Sequence, residues 1–234
     1  MALPQISTPK FETKIPSTGK TLQYRSYLVR EEKILMMAME SGDPKQILIA
    51  IKEVIKACTF NKIKVDDLAL FDLEYIFLKL RAKSVGETAK IGIKCDHCEH
   101  TESVSINLDS IEVFFPEKAD KCNIIQLTPE IGVTLKYLSV DSVNSGGGST
   151  SDDMISIIAA GIENIFDAEQ VYPASDSTKA ELIAFIESLN RSQLEKIEAF
   201  FKTTPRLEKN IKFTCTKCSG VTETVLSGLN SFFA

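Results

Sequence analysis

Cysteine is the residue type whose spacing in this chain points to chemistry. Cys95-Asp96-His97-Cys98 and Cys215-Thr216-Lys217-Cys218 form two C-x-x-C pairs. Each pair sits between strand-like segments. Residues 90–94 and 210–214 precede them, and residues 103–106 and 223–226 follow. A C-x-x-C in a tight turn between strands is a knuckle that presents two thiolates to one ion. Two knuckles complete a tetrahedral zinc ribbon. The expected site is therefore one structural zinc ion on Cys95, Cys98, Cys215 and Cys218. Such a site has no open coordination position and is not catalytic.

The flanks repeat. Thr101-Glu102-Ser103-Val104 and then Leu108-Asp109-Ser110 follow the first pair. Thr222-Glu223-Thr224-Val225 and then Leu229-Asn230-Ser231 follow the second. The first unit runs on to Phe114-Phe115 and the second to Phe232-Phe233, and both aromatic pairs are expected to pack beside the ribbon. Aligning the repeats needs one gap, because the second pair has one more residue before its Thr. The knuckles thus read as equivalent halves of one site.

Their separation is unusual: 116 residues lie between Cys98 and Cys215, against roughly 10 to 20 in compact ribbons. The intervening chain would form an insertion that returns to close the site. Two other uses stay open at this point. Each pair can be a redox dithiol, although neither opens a helix in a βαβ unit. Or each pair can complete its own site with other ligands. His97 and His100 are near the first pair, but nothing comparable is near the second. Cys58, in an apolar helical stretch, and Cys122, in a polar loop, read as structurally ordinary residues.

Other chemistry finds little support. Ser17-Thr18-Gly19-Lys20-Thr21 resembles the end of a phosphate-binding loop. The position five before Gly19 is Lys14 rather than Gly, and a strand-like segment follows instead of a helix. The two histidines both lie beside the first knuckle, so spacing offers no Ser-His-Asp or Cys-His set. No enzymatic activity is expected. Residues 90–112 hold two Lys and five Asp or Glu, and residues 206–224 hold four Lys or Arg and two acids. That sum of about −1 does not make a phosphate-binding surface.

Stepping outward, the elements that must carry the knuckles are mixed. Residues 10–27 read as a β-hairpin about Pro16-Ser17-Thr18-Gly19. Residues 29–83 read as three helices. The first stops at Gly42, the second is opened by Asp43-Pro44, and the third is capped by Asp66 or Asp67. The third carries two apolar stripes, Leu68, Phe71, Tyr75, Leu78 and Leu70, Leu73, Phe77, Leu80, and so is expected to be buried on two sides. A second hairpin spans residues 123–139 about Thr128-Pro129-Glu130. Gly146-Gly147-Gly148 among serines marks a flexible linker. Residues 152–202 read as helices capped by Asp152-Asp153, by Thr178 with Glu181, and by Ser192 with Glu195. The last two form a helical hairpin with stripes Leu182, Ile186, Leu189 and Leu194, Ile197, Phe201.

The expected fold is α+β: helical bundles with short β-hairpins and a four-Cys zinc ribbon built from two distant knuckles. The expected parts are residues 1–140, with the first knuckle, a linker at 141–151, and residues 152–234, with the second knuckle. A length of 234 residues with 44% hydrophobic side chains suffices for a real core without disulfides. A net charge of −5 argues against a non-specific nucleic-acid binder. No apolar run near the start resembles a secretory signal, and none reaches membrane-spanning length. The chain is thus expected to be soluble and intracellular, where six cysteines suit metal or free thiols.

Three stretches carry a family resemblance: STGKTLQYRSYLVREEKILMMAMESGD, LFDLEYIFLKLRAKSVGE leading into IKCDHC, and LEKIEAFFKTTPRLEKNIKFTCTKC with the later GLNSFF. They resemble the baseplate hub assembly proteins of T-even-type contractile-tailed bacteriophages, over roughly residues 1–140 and 180–234. The resemblance implies a protein that helps build the central hub of the tail baseplate. It implies partners among other hub proteins or the tape-measure protein, and a place in the host cytoplasm during assembly or in the tail. The C-terminal third also resembles tail proteins that chaperone the tape-measure protein. Zinc is carried over only onto Cys95, Cys98, Cys215 and Cys218. A zinc-ribbon nucleic-acid adaptor is the remaining alternative.

Overall fold

The computed structural model describes residues 7–116, 123–140, 142, 151–228 and 231. The expected linker, apart from Ser142 and Ser151, lies outside them, as do Cys122 and the Phe232-Phe233 pair. The architecture is α+β, with helices and several small antiparallel sheets. The chain divides into two compact units. One holds residues 1–65, 71–114 and 206–234, and the other holds residues 66–70 and 115–205.

In the first unit, β1 (Lys10–Lys14) and β2 (Thr21–Arg25) form the expected hairpin, with Lys14 opposite Thr21. Gly19 takes a positive φ of 67°, the turn geometry that glycine accepts most readily. The turn is fixed by a buried carboxylate: Asp72 accepts from Ser17 N at 2.9 Å and from Ser17 Oγ at 2.5 Å. The Ser-Thr-Gly-Lys-Thr string is thus a hairpin turn.

Helix α1 (Val29–Ser41) ends at Gly42 in the left-handed region, and α2 (Pro44–Cys58) opens with Asp43 accepting from Lys45 N at 3.0 Å. Both boundaries follow the sequence signals. Helix α3 (Leu70–Ser84) is buried around most of its circumference, including Phe71, Leu73, Ile76, Leu78 and Leu80. Asp66 and Asp67 do not cap it directly; they lie in a 3-10 turn at Val65–Asp67.

The knuckle strands pack against α3. Strands β3 (Thr88–Lys94) and β4 (Thr101–Asn107) form one hairpin. Strand β5 (Glu112–Phe114) pairs with the start of β10 (Arg206–Thr214), which then pairs with β11 (Val221–Ser227). Leu78 and Ala82 of α3 share a core with Ile91, Ile93, Ile106, Leu108, Ile111, Leu207 and Ile211. Inward residues of β3, β4 and β10 thus meet one helix face. Phe114 departs from expectation: it is about half exposed, with the Arg206 guanidinium 6.0 Å from its ring centre. Its neighbour Val113 takes the inward position.

The second unit is built on a four-stranded antiparallel sheet. Its strands are β6 (Ile124–Gln126), β7 (Gly132–Leu135), β8 (Ile162–Phe166) and β9 (Val171–Pro173). β6 and β7 are the expected second hairpin. β8 and β9 correct the helical reading of residues 161–173. Helix α4 (Ser151–Ala160) stops at Gly161, where a Cβ would overlap the Phe201 ring. The sequence grouping places the 123–139 hairpin in the N-terminal part, yet β7 pairs with β8.

Helices α5 (Lys179–Glu187) and α6 (Arg191–Lys202) follow. Thr178 and Glu181 form the expected capping box on α5. On α6 the cap is Asn190 with Gln193, two residues earlier than the expected Ser192 and Glu195. Leu182, Ile186, Ile197 and Phe200 complete a core with Val133, Leu135, Ile158 and Ile162. Phe185 packs against the same core, which accounts for its position off the main stripe.

Candidate metal centre

The two knuckles have the same backbone. Cys95 N donates to His100 O at 2.8 Å and Glu99 N to Cys95 O at 2.9 Å. Cys215 N donates to Gly220 O and Ser219 N to Cys215 O, both at 2.9 Å. Glu99 and Ser219 both take φ of 58°, the left-handed step that turns the chain back. The turns leave β3 at Lys94 and β10 at Thr214, whose partners on the return strands are Thr101 and Val221.

That register corrects the sequence alignment of the repeat. Val221, not Thr222, is the structural counterpart of Thr101, so no gap is needed. Glu102 and Thr222 match, and both face inward, as do Val104 and Thr224, and Ile106 and Leu226. The extra residue instead slides the second repeat by one, which turns Val225 outward, where Val104 is inward.

The knuckles bring all four expected cysteines together. Their sulfurs lie within 4.8 Å of one another. Two close pairs cross between knuckles: Cys95 Sγ to Cys218 Sγ is 3.6 Å, and Cys98 Sγ to Cys215 Sγ is 3.7 Å. A tetrahedral ion with metal–sulfur bonds of ~2.3 Å needs sulfurs ~3.8 Å apart. The donor set and its spacing therefore fit a thiolate-bound tetrahedral ion. Cys95 and Cys215 are buried, Cys98 is half-buried and Cys218 is exposed. Cys58 lies apart in α2, its Sγ accepting from Arg25 Nη1 at 3.6 Å, and burial pushes its thiol up to about 11.

Hydrogen bonds divide the four sulfurs electrostatically. Cys95 accepts from His97 N at 3.4 Å and from Thr222 Oγ1 at 3.6 Å. The His97 N–H leads in lowering its thiol to about 6, against the opposing effect of burial. Cys218 also accepts a backbone N–H, from Gly220 at 3.4 Å, which lowers it. The neighbouring sulfurs of Cys98, Cys95 and Cys215, together with burial, outweigh that and push it up to about 12. Without a cation, four thiolates this close repel, so one ionises readily and another resists. A bound cation removes that conflict.

Three further contacts also tie one knuckle to the other, and sequence reasoning did not reach them. Asp96 N donates to Thr222 Oγ1 at 3.3 Å. At the matching place, Thr216 N and Thr216 Oγ1 donate to Glu102 Oε2 at 3.0 and 2.8 Å. The Thr216 N–H is the main reason the Glu102 carboxyl sits below its ordinary value. His97 reaches across to Val221 O at 3.1 Å; a carbonyl only accepts, so Nε2 carries the proton. The His97 ring covers Gly220, where a Cβ would collide with it. The matching places of Glu102 and Thr222 were visible in the sequence only as part of the misaligned repeat.

The fold and the site define an α+β protein with four clustered cysteines spaced to suit a tetrahedral ion. A family described as T4 bacteriophage base plate protein matches residues 8–234. The chain belongs to that family, which gives it a structural or assembly role in a phage baseplate, in contact with other phage proteins. No curated protein and no solved structure matches the chain. Among the described residues, no helix is long and apolar enough to cross a membrane.

Proposed function

We propose that this protein serves the central hub of the baseplate, as a subunit or hub assembly factor, and acts through protein–protein contacts rather than catalysis. The family match over residues 8–234 supports the baseplate part of this reading, and the hub is what the sequence resemblance implies. The cysteine cluster is consistent with it: four thiolates on one ion would complete a tetrahedral shell and leave no position for a substrate.

We further propose that Cys95, Cys98, Cys215 and Cys218 hold one zinc ion. When bound, zinc supplies a crosslink rather than a reaction. The chain's own residues orient the four sulfurs and bury two of them, Cys95 and Cys215, with His97 lying across Gly220. The crosslink joins residues more than a hundred positions apart, and structural thiolate sites contribute on the order of 10 kcal/mol to folding.

Elemental analysis of purified protein tests the metal, with about one zinc per chain expected. Cys215→Ser abolishes retention and lowers the melting temperature sharply, because both knuckles close one site. Unchanged zinc in Cys215→Ser refutes a shared site. Co-purification from infected cells with hub proteins tests the hub reading. Mass spectrometry of finished tails then separates a subunit, which is retained, from a tape-measure chaperone, which is absent. A salt-dependent complex with DNA or RNA would favour the nucleic-acid adaptor instead.

A further inference from the structure

Taking the four cysteines to be a metal site, as proposed above, we infer that Glu102 is its positioning residue. From the return strand of the first knuckle, it holds the second knuckle in its ligating conformation.

Little packing holds the turn between the two ligands of the second knuckle, although His97 lies over its far end at Gly220 and Val221. Of Cys215, Thr216, Lys217, Cys218 and Ser219, only Cys215 is buried. The turn contributes no large apolar side chain to the core, so packing does not fix the position of Cys218. Between the two ligands, the contact to the first knuckle is made by Glu102 Oε2, which accepts both the backbone N–H and the hydroxyl of Thr216. A bifurcated bond to an ionised oxygen is stronger than its neutral counterpart and fixes both the backbone and the side chain.

The pseudo-symmetric contact at the first knuckle shows the contrast. There the acceptor is the neutral hydroxyl of Thr222, and the single N–H bond from Asp96 is longer, at 3.3 Å. Thr222 is also 1% exposed and turns toward Cys95, so packing and the sulfur share the task. The two clamps occupy equivalent positions but divide unequally. The charged clamp serves the knuckle with the exposed ligand, Cys218, whereas Cys98 of the first knuckle is half-buried. Glu102 itself is not among the grouped ligands, so its effect on the metal passes through Thr216 and the turn.

The test uses full-length protein loaded with zinc alone, and the rate of zinc transfer to a coloured chelator. Glu102→Ala is expected to release zinc about 10- to 100-fold faster, the range for lost outer-shell support. Glu102→Gln keeps one acceptor oxygen and restores much of the wild-type rate. Thr216→Val removes only the hydroxyl bond and gives an intermediate rate, which tests the same contact if Glu102→Ala folds poorly. Glu223→Ala, on the outward face of β11, loses an ion pair to Lys212 and leaves the rate unchanged. Release at the wild-type rate from zinc-loaded Glu102→Ala and Thr216→Val overturns the role of Glu102 while leaving the metal site standing. Wild-type protein that takes up no zinc overturns the metal site, and the inference with it.

Discussion

Replacing Glu31 is expected to destabilise the first unit strongly. Glu31 is the third residue of α1 and is 4% exposed. Its carboxylate accepts from Arg25 Nη2 at 3.0 Å, Arg25 Nη1 at 3.4 Å, Arg30 Nε at 2.7 Å and Leu28 N at 2.7 Å. Leu28 has no side-chain acceptor, so Glu31 supplies the side-chain cap at this end. Burial raises its carboxyl, but Arg25 leads the hydrogen bonds that outweigh it, and the group falls from 4.5 to about 2. That difference corresponds to about 3 kcal/mol at neutral pH as an upper value, since solvent still reaches Arg30. Glu31→Ala also strands Arg25, which is 7% exposed, so the expected loss is about 3 to 5 kcal/mol.

Urea denaturation followed by far-UV circular dichroism at pH 7 measures the loss. The pH dependence gives a sharper check. A depressed carboxyl contributes stability that is full above about 4.5 and declines as pH falls toward 2. The gap between wild type and Glu31→Gln should therefore be constant from pH 7 to 5. It should narrow by about 2 kcal/mol by pH 3. Both proteins are compared reduced and at the same zinc content at each pH, so that cysteine protonation affects them equally. A Glu31→Ala loss below about 1 kcal/mol, or a gap that does not change between pH 5 and 3, refutes the reasoning.

Two further outcomes can be checked by thermal melts. Asp72→Ala frees the β1–β2 turn by removing the acceptor of Ser17 N and Ser17 Oγ, and should cost about 2 to 3 kcal/mol, with Ser17→Ala costing less. Gly161→Ala places a methyl against the Phe201 ring and should cost about 1 to 3 kcal/mol; the added substitution Phe201→Leu should recover part of it.

The cysteine site was legible because its spacing is local. Each C-x-x-C states its own turn, and the repeat states that the turns belong together. Helix ends were equally local: Gly42, Asp43-Pro44 and Thr178 with Glu181 all act within a few residues. What escaped was set by partners far away in sequence. Ile162–Phe166 follows an apolar helix without a clear break in hydrophobicity. Only its pairing with β7 and β9 makes it a strand, although Gly161 offered a stop signal. Asn190 with Gln193 and Ser192 with Glu195 are box signals of the same kind two residues apart, and the helix starts at the earlier one. Thr216 and Glu102 are 114 positions apart, and no pattern in the sequence connects them.

The pairing of β5 with β10 has a consequence in time. Phe114 and Arg206 are direct partners in that ladder, so residues 115–205 are paid out from and returned to adjacent points on the same seam. During synthesis that contiguous stretch is finished first and can collapse around its own core. The first thiol pair meanwhile has no counterpart. Translating the 116 residues between Cys98 and Cys215 takes roughly 6 to 23 s at cellular rates. For that interval Cys95 and Cys98 are a two-ligand grip, open to a passing ion or oxidant. The nascent chain therefore matures from the inside outward, and its last strands decide whether the earliest thiols reach the right partner.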